Sequence, residues 1–445
     1  MKQHRLFLIA MAMFVVSCHS EIAEPKVVGA PSVDDPVSIY AISEEEAIEN
    51  LNEFLAAFDV EDTRVNSRVV KSIEPVKLDN LGVTRTSSDV DIDNLLYIVE
   101  FEDGQGSAVL GADRRLTPVY AVLDESVLTK EDFQNVVNGE NIEDVSTFTA
   151  GLIAQDAMNS ISTCDLGMVD LRTDITYYTT TTTLLSKVFP MLNTKWGQGP
   201  PYNDRFPLKS NGLSREEAGC GTIAVAQVLT YLTYPNNITL NGHSHDWSII
   251  TKFTYWGEEN TDIYDKNCLS LFIYDLALEM NVDFGDGGEE DLGSYVPVEE
   301  SEALFERLGY KNVNFESLTT AKAYNMIWNN KPFYAYGIDT RHVEVPTDVA
   351  HAWVIDGWKE TETVVRKIVE DNGIIISNTI YDEYTTQYAH CNFGWNGKCD
   401  GYYTFTMFNT LSLRPNDMIE TTYGDVIGID RWFFTHNFNM IKYDY

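Results

Sequence analysis

Glu217-Ala218-Gly219-Cys220-Gly221-Thr222-Ile223-Ala224-Val225-Ala226-Gln227-Val228-Leu229 sets one cysteine between two glycines at the opening of an apolar helix. At a helix N-terminus the unpaired backbone N–H groups and the positive end of the macrodipole favour thiolate over thiol. Gly219 and Gly221 leave the sulfur open to a substrate. Over this stretch alone, a cysteine that merely packs reads the same way, because free cysteine is among the most buried residue types.

A partner for Cys220 stands downstream in Ala350-His351-Ala352-Trp353-Val354-Ile355-Asp356-Gly357, which reads as a buried strand with a histidine at its start. Cysteine on a helix followed by histidine on a later strand is the order of papain-like thiol hydrolases, in which the imidazole takes the thiol proton and returns it to the leaving amine. A third segment, His390-Cys391-Asn392-Phe393-Gly394-Trp395-Asn396-Gly397, supplies an amide that could hold the imidazole and an indole that could cover the pair.

These stretches bring the chain to a known family. AGCGTIAVAQVLTYLTYP at the cysteine, AHAWVIDGW at the histidine and HCNFGWNGKCDGYYTF near the end resemble the streptopain family (peptidase family C10) of papain-like cysteine endopeptidases, especially its lipoprotein members in Bacteroides and Prevotella relatives. The resemblance runs from about residue 40 to the C-terminus. KWGQGPPYN, at 195–203, looks like the family's WGQ-x-x-PYN segment and implies that Gln198 is the side-chain donor of an oxyanion hole, with the Cys220 backbone N–H as the second donor.

The resemblance implies an α+β fold: a papain-like cysteine protease catalytic domain preceded by a small α+β inhibitory prodomain. It also implies hydrolysis of protein or peptide substrates through an acyl-enzyme. Cys220 would attack the scissile carbonyl, His351 would shuttle the proton, Asn392 would orient the imidazole through its side-chain oxygen, and Trp395 would keep water from that hydrogen bond. The chain departs from the family at Phe393, where tryptophan is frequent, and at Val349 and Ala350, where glycines often precede the histidine. Neither departure removes a group the chemistry requires. The interval from His351 to Asn392 is also long and holds a charged, strand-like insertion, Glu360 to Tyr384, expected to form a surface hairpin.

Two rivals use the same residues differently. A transglutaminase-like acyltransferase would pass the acyl group to an amine, and a surface binding protein would keep the scaffold without the chemistry. The presence of Cys220, His351 and Gln198 argues against the second.

At 445 residues the chain is long enough for two domains, and 44% hydrophobic with 12% aromatic residues suffices for large cores. A net charge of −37 argues against nucleic acid or an anionic membrane surface as a partner, because phosphate contact needs clustered Lys and Arg. Solubility outside a cell is the simpler reading of that acidity. Lys2, Arg5 and the short apolar run Leu6 to Val16 read as an export signal, too short for an ordinary transmembrane helix. Val15-Val16-Ser17-Cys18 looks like a lipobox in which Cys18 receives lipid, with a plain secretory signal as the alternative. The expected location is therefore the outer membrane or cell surface, possible release following processing, and any membrane contact is through that lipid. Cys164, Cys268, Cys391 and Cys399 could pair in several ways or not at all. No cofactor or metal site is expected: compact ligand spacing is missing, and His243-Ser244-His245 with Asp246 reads as a polar loop.

Along the chain, residues 1–18 are the signal and 19–40 a tether. Residues 41–178 form the expected propeptide domain, the chain's own inhibitor. In it, Ser43-Glu44-Glu45-Glu46 caps a helix carrying Ala47, Leu51, Phe54, Leu55 and Phe58 on one face. Leu95 to Phe101, Asp103-Gly104 and Ser107 to Leu110 read as a hairpin, and Pro118 to Leu123 as a further strand. An accessory binding domain that stays attached is the alternative for this region. Thr179 to Thr183 marks a processing linker over 179–187, expected to be exposed. The catalytic domain follows over 188–445, with helices at Leu269 to Met280 and Glu299 to Leu308 and strands from Lys331 onward.

Overall fold

Ser43 opens the first helix as its capping motif predicts, its Oγ accepting the Glu46 N–H at 3.2 Å. Helix α1 (Glu44–Phe58) buries Ala47, Leu51, Phe54, Leu55 and Phe58, the five positions set on one face by helical spacing. The computed structural model describes residues 40–445 except 63–66, 78–83, 86–93, 142–143, 164–174, 255–261, 286–293, 340–348, 372–373, 409–417, 421–425 and 429–437. The signal, Cys18, most of the tether and Cys164 therefore lie outside the described residues.

The strands β1 (Val70–Lys77), β2 (Asn94–Phe101), β3 (Ser107–Gly111) and β4 (Val119–Leu123) pair in order, each antiparallel to the next. Side chains of β2 alternate as its period of two requires: Tyr97, Val99 and Phe101 enter the apolar cluster on α1, whereas Leu96 and Ile98 enter the main core. Helices α2 (Lys130–Asn138) and α3 (Val145–Thr163) contribute Phe133, Phe148 and Ile153 to that same core.

The C-terminal part supplies β6 (Lys311–Ser317), β7 (Phe333–Asp339), β8 (Val349–Asp371), β9 (Ile374–Asn392), β10 (Gly401–Thr404) and β11 (Asn439–Asp444), while β5 (Ile175–Val188) lies between the two parts in sequence. Together they make one eleven-stranded sheet, ordered β1-β2-β3-β4-β10-β9-β8-β7-β11-β6, with β5 on β8. Helices α4 (Cys220–Leu232), α5 (Ile263–Glu279), α6 (Val298–Arg307) and α7 (Thr320–Trp328) complete a mixed α+β fold.

The two parts are joined through the sheet itself. Strand β4 pairs with β10 at Leu123↔Gly401, Val122↔Tyr402 and Ala121↔Tyr403. Glycine is needed at this seam, because a Cβ on Gly401 would lie 2.5 Å from the Val122 carbonyl oxygen. Beside it runs a buried charged contact. Arg68 pairs with Asp59 at 2.7 Å, and Lys359 Nζ lies 3.6 Å from Asp62 and 4.2 Å from the Phe58 ring centroid. His390 Nδ1 meets Asp356 at 2.6 Å while its Nε2 meets Asp124 at 3.2 Å. Burial opposes charge on His390, but Asp356 and Asp124 outweigh it and raise its pKa to about 10, so the imidazolium bridges the two parts. Removing one partner of such a buried pair typically costs about 3–5 kcal/mol, because the other charge is left uncompensated.

The expected exposed linker at 179–187 is instead the middle of β5. It pairs continuously with β8 from Ile175↔Glu370 to Val188↔Trp358, with one register shift between Glu360 and Thr361. Consecutive threonines cannot build a core, but they are β-branched, and their backbone groups can complete an edge. The polarity of the side chains signals exposure; the ladder depends on a strand far away in sequence. That strand belongs to the expected hairpin, since the charged insertion forms the outer halves of β8 and β9, paired from Lys359↔Tyr388 to Asp371↔Ile374.

Candidate active site

Helix α4 begins at Cys220 because Gly219 turns the chain into it with φ +82°, and a Cβ there would lie 2.8 Å from the Ser294 carbonyl oxygen. From Gly221 to Thr230 every residue is buried, so the sulfur sits at the one partly open position at the helix start. Cys220 Sγ accepts the Ala352 N–H at 3.4 Å, which places it against the strand position next to His351. Burial raises the thiol pKa, with the N–H groups of Ala352, Gly221 and Cys220 working in the opposite direction. The thiolate preference expected of a helix start is thus outweighed here by desolvation.

His351 lies on β8 opposite Gly337 of β7 and is 9% exposed. Its ring stands 5.1 Å from that of Phe148 on α3, edge on, and stacks with Phe393 at 5.9 Å and Trp353 at 6.2 Å. Its Nε2 is buried without a hydrogen-bond partner. Burial lowers the imidazole pKa to about 4, against a hydrogen bond with the Phe393 backbone, so the ring is neutral at neutral pH. Thiol and imidazole lie on neighbouring elements, yet they do not share a hydrogen bond.

Gln198 is 9% exposed, and its carbonyl accepts the Ala218 N–H at 2.9 Å, two residues before the cysteine. The preceding Trp196 is fully buried and donates its indole N–H to the Phe253 carbonyl at 2.9 Å. Gly197 allows the Asn396 side chain to approach, since a Cβ there would lie 2.4 Å from its Nδ2.

Asn392 does not hold the imidazole in this arrangement. Its Oδ1 accepts from Gln227 Nε2 at 2.9 Å and from the Gly394 N–H at 3.1 Å, and its Nδ2 donates to the Thr194 carbonyl at 2.7 Å. Trp395 is half-buried against the core, with its indole N–H buried and unpaired. Two residues at the site escaped the sequence reading. Gln227 had a signal, being the one amide in an apolar helix and two turns from Cys220 on the same face. Phe148 had none, because only tertiary packing brings it to His351.

Cys220, Cys268, Cys391 and Cys399 are free thiols. His243 Nδ1 and His245 Nε2 both approach Asp275 Oδ2, at 2.9 and 3.0 Å, whereas the expected neighbour Asp246 caps the helix that follows by accepting the Ser248 N–H. Among the described residues, no group of three His, Cys, Asp or Glu could hold a metal ion.

Residues 196–403, which contain Gln198, Cys220, His351 and Asn392, match the model of the Peptidase C10 family. The chain is also 22% identical over 388 residues to streptopain of Streptococcus pyogenes, an alignment covering 77% of this chain and 81% of streptopain. It is 23% identical over 261 residues to the thiol protease/hemagglutinin PrtT of Porphyromonas gingivalis, covering 52% of this chain but only 26% of PrtT. Among solved structures, a fragment of Prevotella intermedia prointerpain A aligns over 81% of this chain and 97% of its own, with 17% identity and a TM-score of 0.49. Active interpain A from Prevotella intermedia aligns over 57% of this chain and 94% of its own, with 20% identity and a TM-score of 0.38.

Proposed function

We propose that this C10 chain is a cysteine endopeptidase made as a zymogen, with Cys220 as nucleophile, His351 as acid and base, and Gln198 as an oxyanion donor. The observation that carries this reading is the contact of Cys220 Sγ with the Ala352 N–H, which sets the thiol at a helix start beside the strand position next to His351. Once the imidazole swings to the sulfur it takes the thiol proton, and the ion pair holds the thiolate. Attack on a peptide carbonyl forms a C–S bond and an oxyanion. Collapse expels the amine, which leaves with the imidazolium proton, and water then hydrolyses the thioester.

The packing of Phe148 supports the zymogen part of the reading. In the uncut chain this ring on α3 lies edge on against His351, whose burial lowers the imidazole pKa, and such packing would restrain the imidazole from turning to the sulfur. The N-terminal segment is held by the β4–β10 seam, the His390–Asp124 contact and the β5–β8 ladder. A single cut within β5 leaves most of those contacts in place, so latency persists until the segment departs.

The test is covalent. Chain processed under reducing conditions is incubated with a peptidyl epoxide and mapped by mass spectrometry. One adduct on Cys220 with parallel loss of peptide hydrolysis is expected. Persistent hydrolysis after complete labelling of Cys220, or an adduct on Cys268 that accompanies the loss, would contradict the assignment.

A further inference from the structure

Gln227 is fully buried on the nucleophile helix, where an unpaired amide would cost about 1–3 kcal/mol. Both ends of its amide are engaged. Nε2 donates to Asn392 Oδ1 at 2.9 Å, and Oε1 accepts the Trp196 N–H at 3.4 Å. Asn392 closes the circuit by donating Nδ2 to the Thr194 carbonyl at 2.7 Å. Helix α4, the end of β9 and the segment Thr194–Trp196 are therefore tied through two side-chain amides. Gln198 stands two residues beyond that segment, after Gly197.

We infer that Gln227 and Asn392 are positioning residues that hold the Gln198 segment against the nucleophile helix, so that Asn392 acts through the oxyanion donor and not through His351. The inference rests on the cysteine peptidase reading. Several contacts point to this role. The segment is also held by the Trp196 indole on Phe253 and by the Asn396 N–H on the Trp196 carbonyl at 3.1 Å, while the amide circuit supplies its link to the nucleophile helix. The Gly394 N–H bond to Asn392 Oδ1 commits the remaining capacity of that oxygen inside the same loop. A Cβ on Gly394 would lie 2.9 Å from Ile223 Cγ2, so the loop packs closely on α4 and carries a displacement of the helix to Asn392.

An oxyanion donor must stand within hydrogen-bond distance of charge that exists mainly in the transition state, and a displacement of about 1 Å can cost up to about a hundredfold in rate. Gln227→Met and Asn392→Leu both keep volume and remove the amide. They are made in the full chain, which is processed under reducing conditions by tagged wild-type enzyme that is then removed. Each should lose about ten- to a hundredfold in kcat with little change in KM, part of the larger loss expected of Gln198→Ala. Each should also bind a peptide aldehyde, whose adduct carries an oxyanion, more weakly by a similar factor. Alkylation of Cys220 by iodoacetamide needs no oxyanion hole, and its pH profile should superpose on that of the wild type. Either variant alone decides the matter if the other does not fold. Wild-type kcat and aldehyde affinity in a folded variant would overturn the inference, and so would a shifted alkylation profile in Asn392→Leu, which would return Asn392 to the imidazole. A processed wild-type enzyme that neither hydrolyses peptide nor binds the aldehyde would instead sink the peptidase reading, and the inference with it.

Discussion

Cys220→Ala should abolish peptide hydrolysis in the processed chain. Removing the nucleophile of a comparable catalytic unit costs on the order of 10⁶-fold in kcat, because the remaining groups cannot form the acyl-enzyme. The change deletes one sulfur at a partly open helix start, so the fold and the thermal transition should be nearly unaffected. Cys268→Ala is the control, since Cys268 lies on α5, where its side chain meets Tyr264. Turnover of a fluorogenic peptide by both variants, with circular dichroism, checks the pair. Retained turnover in Cys220→Ala would remove this cysteine from the chemistry.

Phe148→Ala should weaken the latency of the uncut chain. The ring is buried at 3% exposure and touches His351, Trp353 and Phe393 together, so truncating it opens a space beside the imidazole. Loss of a buried phenylalanine costs about 3–5 kcal/mol, much of it here from the docking of α3. In a Cys268→Ser background, the uncut variant should be alkylated at Cys220 at least about tenfold faster at neutral pH, as a few kcal/mol of the block are removed. Phe148→Leu keeps apolar contact and should stay close to wild type. Equal alkylation of wild type and Phe148→Ala, with both uncut and folded, would mean that α3 does not restrain the histidine.

Acid should act in the same direction as Phe148→Ala. The imidazole value of about 4 lies below the ordinary value of about 6.5, so the arrangement that buries His351 is at full strength above the latter and weakens as pH falls toward the former. His390 has the opposite sign. With its value raised to about 10, its contribution is fully present below about 6.5 and is lost as pH rises through 10. The His390 contribution to the seam therefore persists over the pH range in which His351 is released.

Periodicity and capping made α1, α4 and the β2–β3 hairpin legible, because each is set by residues close in sequence. The candidate site residues stood out as types in a spaced pattern; in the fold the Ala352 N–H meets Cys220 and the Ala218 N–H meets the Gln198 carbonyl. What could not be read depends on distant partners. The threonine run became β5 through the backbone of β8, and the N-terminal sheet joined the C-terminal one through three residue pairs at Gly401. Asn392 was identified as a site residue for its amide, but the groups that amide meets come from α4 and from residue 194, more than a hundred positions away. Phe148 has no local feature that distinguishes it from other core phenylalanines.

In the zymogen proposed for this chain, the uncut form keeps the thiol and the imidazole unpaired and neutral, and processing lets them pair. The most direct measurement is the pH dependence of Cys220 alkylation by iodoacetamide in the uncut and the processed chain, both in the Cys268→Ser background. In the uncut chain burial raises the thiol and lowers the imidazole, so alkylation should be slow at neutral pH and rise only above the usual thiol value of about 8.5. In the processed chain the ion pair should give rapid alkylation on a plateau that begins in the acid range. The same neutral-pH plateau in the uncut chain would contradict the account.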